Sequence, residues 1–189
     1  MEGEAMEHGR EAGNDGVWLF GYGSLIWRVD FPYRARLKAA VRGFSRRFWQ
    51  GSHDHRGTPA APGRVVTLTP EAGALCVGMA YRIDAATFAP LDHREKNGYV
   101  RVRLPIEIEG DDGVTTVVGG VTYIAEASNE AFLGPANLEQ MARHILASSG
   151  PSGSNIEYVL ELAQALTALN ADDPHVFALE RRLRQLAPP

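Results

Sequence analysis

Val17-Trp18-Leu19-Phe20-Gly21-Tyr22-Gly23-Ser24-Leu25-Ile26-Trp27 is the stretch on which the reading of this chain turns. Its first four residues are apolar and β-favouring, as expected of a buried strand. Two glycines then bracket a tyrosine, and a serine follows at once. Glycines at that spacing let the backbone turn sharply and approach a ligand with its N–H groups pointing outward. A cluster of free N–H donors suits a carboxylate or a developing oxyanion. The same residues also describe an ordinary, aromatic-rich turn out of a strand, so this stretch alone does not choose between the two.

Outward from it, the chain alternates like a β protein before it becomes helical. A strand is expected over Ala39–Trp49, a long glycine- and proline-rich loop over 50–64, and a short strand over Val65–Leu68. Leu75–Ile83 alternates most cleanly, with Leu75, Val77, Met79, Tyr81 and Ile83 on one face. Asp84 reads as the cap of a helical stretch ending near Arg94, kinked or split by Pro90. Val100–Ile108 and Val114–Ala125 read as a hairpin around Glu109–Gly113, with a bulge or bend at Gly119-Gly120.

Helical spacing then takes over. Leu138, Met141, Ala142, Ile145 and Leu146 share a face. Val159, Leu162, Ala163, Leu166 and Leu169 follow an expected cap at Asn155, and Asp173-Pro174 opens a last helix. Strands first and helices last imply an α+β fold whose mixed or mostly antiparallel sheet can close into a small barrel.

Composition narrows the class. At 189 residues the chain is the size of one domain, able to bury roughly 70% of its unfolded surface. Residues 1–16, with Glu2, Glu4, Glu7, Glu11 and Asp15 against Arg10, read as a disordered acidic tail ahead of a single domain over 17–189. A net charge of −4 argues against nucleic acid or an anionic membrane as partner. The lone Cys76 excludes an intrachain disulfide and fits a reducing compartment. No run spans a bilayer and no signal peptide is evident, so a cytoplasmic protein with no obligate protein partner is expected.

A second constellation is Asp92-His93-Arg94-Glu95-Lys96-Asn97-Gly98-Tyr99, between a helix and a strand, where a loop presents side chains. Read alone, it is more simply a solvated charged turn, as charge runs usually are. Ser24 has no Ser-His-Asp order or elbow motif around it and reads as a binding or loop-shaping residue. His53-Asp54-His55 lacks third and fourth ligands at useful spacing, so no metal is expected.

These segments together carry a resemblance. The sequences 20–27, Ser45-Arg46-Arg47-Phe48-Trp49-Gln50-Gly51-Ser52, Asp54-His55-Arg56-Gly57, Pro62-Gly63-Arg64-Val65-Val66-Thr67-Leu68 and Leu91-Asp92-His93-Arg94-Glu95-Lys96 resemble the ChaC family, the glutathione-specific γ-glutamylcyclotransferases. Leu133-Gly134-Pro135-Ala136 and Gly150–Tyr158 extend the resemblance, which covers roughly residues 17–182 in order. It implies the γ-glutamylcyclotransferase-like fold, with a small barrel-like sheet and flanking helices. It implies a lyase that turns glutathione into 5-oxoproline and cysteinylglycine with no metal and no organic cofactor. The family's catalytic glutamate falls on Glu95, and its γ-glutamyl-binding loop on Gly21, Tyr22, Gly23, Ser24, Leu25 and Ile26. Asn97 departs from the glycine that members often carry. Tyr22, Trp27 and Tyr99 are candidate walls around Glu95, with Tyr99 also expected to bind substrate. One or two of Arg46, Arg47, Arg56 and Arg64 are expected to line the cleft, since glutathione has two carboxylates. Two alternatives stay open: the same chemistry on another γ-glutamyl amino acid or amine, and a non-catalytic γ-glutamyl-binding module.

Overall fold

The computed structural model describes residues 16–95 and 97–188. The expected acidic tail, apart from Gly16, lies outside the described residues. Five strands close into a barrel in the order β1-β3-β2-β4-β5. They are β1 (Val17–Gly21), β2 (Ala35–Ser52), β3 (Gly63–Ile83), β4 (Tyr99–Glu109) and β5 (Thr115–Ala125). Neighbours are antiparallel except at the seam, where β1 runs parallel to β5 through Trp18↔Gly120 and Leu19↔Val121. That single parallel seam makes the barrel mixed.

β2 and β3 are longer than the sequence pattern suggests, because breakers are absorbed rather than obeyed. The two strands expected around Val65–Leu68 and Leu75–Ile83 are one 21-residue strand. Pro70 lies at a slip in the register, which moves from Arg42↔Leu75 to Phe44↔Pro70. A strand tolerates proline at such an irregularity. Likewise Gln50–Ser52 and Gly63–Val65 pair with each other and shorten the expected loop to 53–62. At Gly119-Gly120 no bulge forms: Leu104↔Gly120 and Pro105↔Gly119 stay in register. The residue at 120 is glycine because a Cβ there would lie 2.7 Å from the Trp18 carbonyl oxygen. The missing side chain lets β1 close the barrel.

The helices are α1 (Phe88–Glu95), α2 (Leu138–Leu146), α3 (Asn155–Ala168) and α4 (Pro174–Leu186). A 3₁₀ turn over Ala85–Thr87 leads into α1. Pro90 sits in the first turn of α1, where a missing N–H leaves no helical bond unmade. Asp84 makes no side-chain cap and pairs with Arg34 instead. Asn155 is not the cap of α3 either. Ser154 accepts from the Glu157 N–H, while the buried Asn155 amide bridges the Arg64 backbone, accepting from its N–H at 2.7 Å and donating to its carbonyl at 2.8 Å. Val159, Leu162 and Leu166 of α3 and Val176, Leu179 and Leu183 of α4 are fully buried in the same core as Leu19, Val41, Phe48 and Ile106 of the barrel. No described helix is long and apolar enough to cross a membrane.

Two further polar side chains hold the helices to the barrel. The Arg46 side chain, 1% exposed, donates from Nε to the Tyr22 carbonyl at 2.6 Å, to the Val77 carbonyl, and to Asp173 at the start of α4. His175 of α4 stacks on Phe48 and accepts the Phe48 N–H at Nε2, 3.1 Å away. Burial, aided by Arg47, lowers the His175 pKa to about 4.

Arg46→Ala strands the Asp173 carboxylate and two carbonyls, and is expected to lower stability by about 3–5 kcal/mol in urea denaturation. Between pH 6.5 and about 4 the unfolded chain takes up a proton that folded His175 refuses, so stability falls with pH across that window. A His175→Gln variant should show a flatter melting-temperature profile there.

Candidate functional site

The glycine loop leaves β1 at the mouth of the barrel. Gly23 opens a short 3₁₀ helix, Ser24–Ile26, whose first internal bond runs from the Ile26 N–H to the Gly23 carbonyl at 2.9 Å. The Ser24 and Leu25 amides precede that bond, so the helix itself uses neither. Arg46 anchors the loop from below through the Tyr22 carbonyl. The Tyr22 hydroxyl donates to the Tyr123 carbonyl across the barrel at 2.6 Å.

Glu95 arrives from the other side, as the last residue of α1. The structure places it in one cavity, of about 70 Å³, with Gly21, Tyr22, Gly23, Ser24 and Leu25. Tyr99, Tyr123 and Tyr158 close the remaining walls. A wider cavity of about 240 Å³ adjoins it, sharing Ser24, Glu95, Tyr99 and Tyr158. Of the residues singled out by sequence, Ile26 lines neither cavity: its side chain is in the core, and its carbonyl accepts from Arg36. Trp27 is not a wall either, because its indole N–H donates to Glu161 and its ring meets Tyr158 edge-on.

The turn carrying Glu95 is clamped. The fully buried Gln50 amide and Asn129 exchange hydrogen bonds of 3.0 and 3.1 Å against it. Gly98 has φ of +100°, and a Cβ there would lie 2.6 Å from the Asn129 side-chain oxygen. The positive φ therefore falls on Gly98, not on Asn97, so asparagine at 97 strains nothing. Its side chain instead donates to Asp54 of the 53–62 loop.

Burial raises the Glu95 carboxyl above the ordinary carboxylate range. Arg94, 3.5 Å away, and His55 pull it down, while Asp54 adds to the rise. Tyr22 and Tyr99 are pushed well above the usual phenol value by burial, and Tyr158 is raised for the same reason. Tyr99 donates to the Val66 carbonyl at 2.7 Å, and Tyr123 donates to Asp92 at 2.6 Å. The walls are thus neutral rings whose hydroxyls are largely committed elsewhere, which keeps the medium around Glu95 poorly polar.

Three of the four arginines weighed in sequence are buried: Arg46, Arg56 and Arg64. Arg46 and Arg64 bind carbonyls and α-helical partners. Arg47 pairs with Glu71. Only Arg56 of this set lines the wider cavity, joined by Arg28 and Arg94. Tyr158, which as a residue near a helix start reads as a securing group, is instead a wall of both cavities. Nothing local to 155–158 signals that. Among the described residues no group of three or more His, Cys, Asp or Glu side chains is arranged to hold a metal.

Comparison with known proteins follows the same outline. The family model described as ChaC-like protein matches residues 17–186. Gamma-glutamylcyclotransferase 2-3 of Arabidopsis thaliana is 39% identical over 178 residues, spanning 90% of this chain and 89% of that protein. Glutathione-specific gamma-glutamylcyclotransferase 1 of Danio rerio is 37% identical over 180 residues, 91% of each chain. The crystal structure of a yeast gamma-glutamylcyclotransferase specific to glutathione matches with a TM-score of 0.82 at 32% identity, covering 91% of this chain and 97% of that one.

A raised carboxyl in the folded state means that folded Glu95 holds its proton more tightly than unfolded Glu95. Stability is therefore lost as pH rises from about 4.3 through the raised pKa. Glu95→Gln should melt above the wild type at pH 7.5, and the two should converge below about pH 4.

Proposed function

The chain belongs to the ChaC-like family, and from that premise we propose that it cyclises the γ-glutamyl unit of glutathione, with Glu95 as the acid–base group. The products are 5-oxoproline and cysteinylglycine. The observation that carries this reading is that one raised carboxyl shares a small cavity with the glycine loop.

The γ-glutamyl unit brings its own nucleophile, the α-amine. Curling it onto its γ-carbonyl closes a five-membered ring, so the protein supplies conformation, proton transfer and charge stabilisation, not a covalent nucleophile. Holding the reacting atoms in attack geometry can contribute about 7–11 kcal/mol. The small cavity fits the glutamyl part, with Ser24 and Leu25 amides available for its carboxylate or the oxyanion.

The amine arrives as an ammonium. An ordinary glutamate near 4.3 facing an amine near 8 is mismatched by about 3.7 pKa units, roughly 5 kcal/mol. The same burial that raises Glu95 disfavours the ammonium, which closes the gap from both ends. The nitrogen attacks the γ-carbonyl carbon, the ring C–N bond forms, and the bond to the cysteinyl nitrogen breaks. Over the cycle two protons leave the attacking nitrogen and two reach the departing one. Glu95 accepts and returns them in turn and finishes as a carboxylate.

Purified protein should release cysteinylglycine from glutathione. Glu95→Gln should remove turnover while leaving a folded protein. The acid limb of kcat for the wild type should sit above the ordinary glutamate value, because the base works only as the carboxylate. Unchanged turnover in the glutamine variant would end this reading.

A further inference from the structure

With the glutamyl part in the smaller cavity, the wider one that shares Ser24, Glu95, Tyr99 and Tyr158 with it is the space next to the scissile bond for the leaving cysteinylglycine part. That part ends in a carboxylate. An extended two-residue peptide spans about 7 Å, which sets where a cation must stand relative to the reacting carbonyl.

Three arginines line this cavity, and they are not equivalent. Arg94 is held by Asp30 and by Glu95. Arg56 is buried and doubly answered, by Glu157 at 3.0 Å and Glu161 at 3.6 Å, with its Nη1 also donating to the Ser154 carbonyl. His55 is engaged with Ser152 at 3.1 Å. Arg28 is exposed, and its guanidinium has no hydrogen bond or ion pair to any described residue.

Its position follows from the glycine loop itself. The Arg28 N–H donates to the Ser24 carbonyl at 2.7 Å, a helical i to i−4 bond that stacks the two residues on one face. Ser24 borders both cavities, so Arg28 stands one turn beyond the junction where the scissile carbonyl lies. An extended arginine side chain covers a distance comparable to that of the dipeptide it would read.

From this geometry we infer that Arg28 binds the terminal glycine carboxylate of glutathione and is a specificity-determining residue for the tripeptide. The inference rests on the cyclotransferase reading of the site. It explains how the protein can prefer a substrate with a remote carboxylate over γ-glutamyl amines without one. The contact is the same in the ground state and the transition state, since the glycine end does not react. Its loss therefore raises KM and spares kcat.

The experiment crosses enzyme and substrate: wild type and Arg28→Ala, each with glutathione and with its ester on the glycine carboxylate. Wild type should favour the free acid by about tenfold in KM, the lower end for a charge-assisted contact at a partly solvated site. Arg28→Ala should lose about tenfold on the free acid, treat acid and ester alike, and melt as the wild type does. Arg28→Lys should recover part of the preference. A wild type indifferent to the ester, or an Arg28→Ala variant that still prefers the acid, overturns the inference and leaves the cyclotransferase reading standing. Failure of the wild type to release 5-oxoproline from either substrate overturns both.

Discussion

A guanidinium sealed from water is tolerated only when its donors are answered, because the desolvation penalty is several kcal/mol. At Arg46 the answers come from three places: the Tyr22 carbonyl of the glycine loop, the Val77 carbonyl of β3 and the Asp173 carboxylate. Asp173 is also the cap of α4, accepting from the Val176 N–H at 3.1 Å. One side chain on β2 thereby ties the loop, the barrel wall and the last helix to a common point. A displaced loop or an undocked α4 would leave charge stranded in the core, so the site is assembled only when the whole domain is.

The energetics of Glu95 run the opposite way. Its environment disfavours the carboxylate, with Arg94 and His55 as partial compensation. Tyr22 and Tyr99 spend their hydroxyl protons on backbone carbonyls and Tyr123 spends its own on Asp92. A stabilising core would not hold a carboxyl this way. The surrounding clamp of Gln50, Asn129 and Gly98 holds the turn where the carboxyl would otherwise seek water. A carboxyl held above its ordinary range by a rigid frame suits the proton transfers proposed for it.

Much of the architecture is legible along the chain because strands and helices announce themselves by period. Leu75–Ile83, the 99–109 and 115–125 hairpin, and the amphipathic faces of α2, α3 and α4 are all local patterns. The misreadings share one cause. Gly119-Gly120 and Asp84 look like a bend and a cap by residue type, yet their roles are set by partners far away in sequence: the carbonyl of Trp18, and Arg34. Asn155 looks like a cap and is a bridge to Arg64, 91 positions away.

The candidate site divides along the same line. Its two segments, 20–27 and 92–99, are visible in sequence because glycine spacing and a charged turn are local signals, and the family resemblance picks Glu95 out of the second. Their meeting is not visible, nor is the part of Tyr158, nor the difference between Arg28, with no side-chain partner among the described residues, and a neutralised Arg56. By itself the sequence determined the α+β class, most strand and helix positions and the chemical groups on offer, since these depend on local period and residue type. Only the closed barrel decided which groups share a cavity, how far water is kept from Glu95, and which cations remain unpaired, because burial and pairing are properties of distance in space and not of distance along the chain.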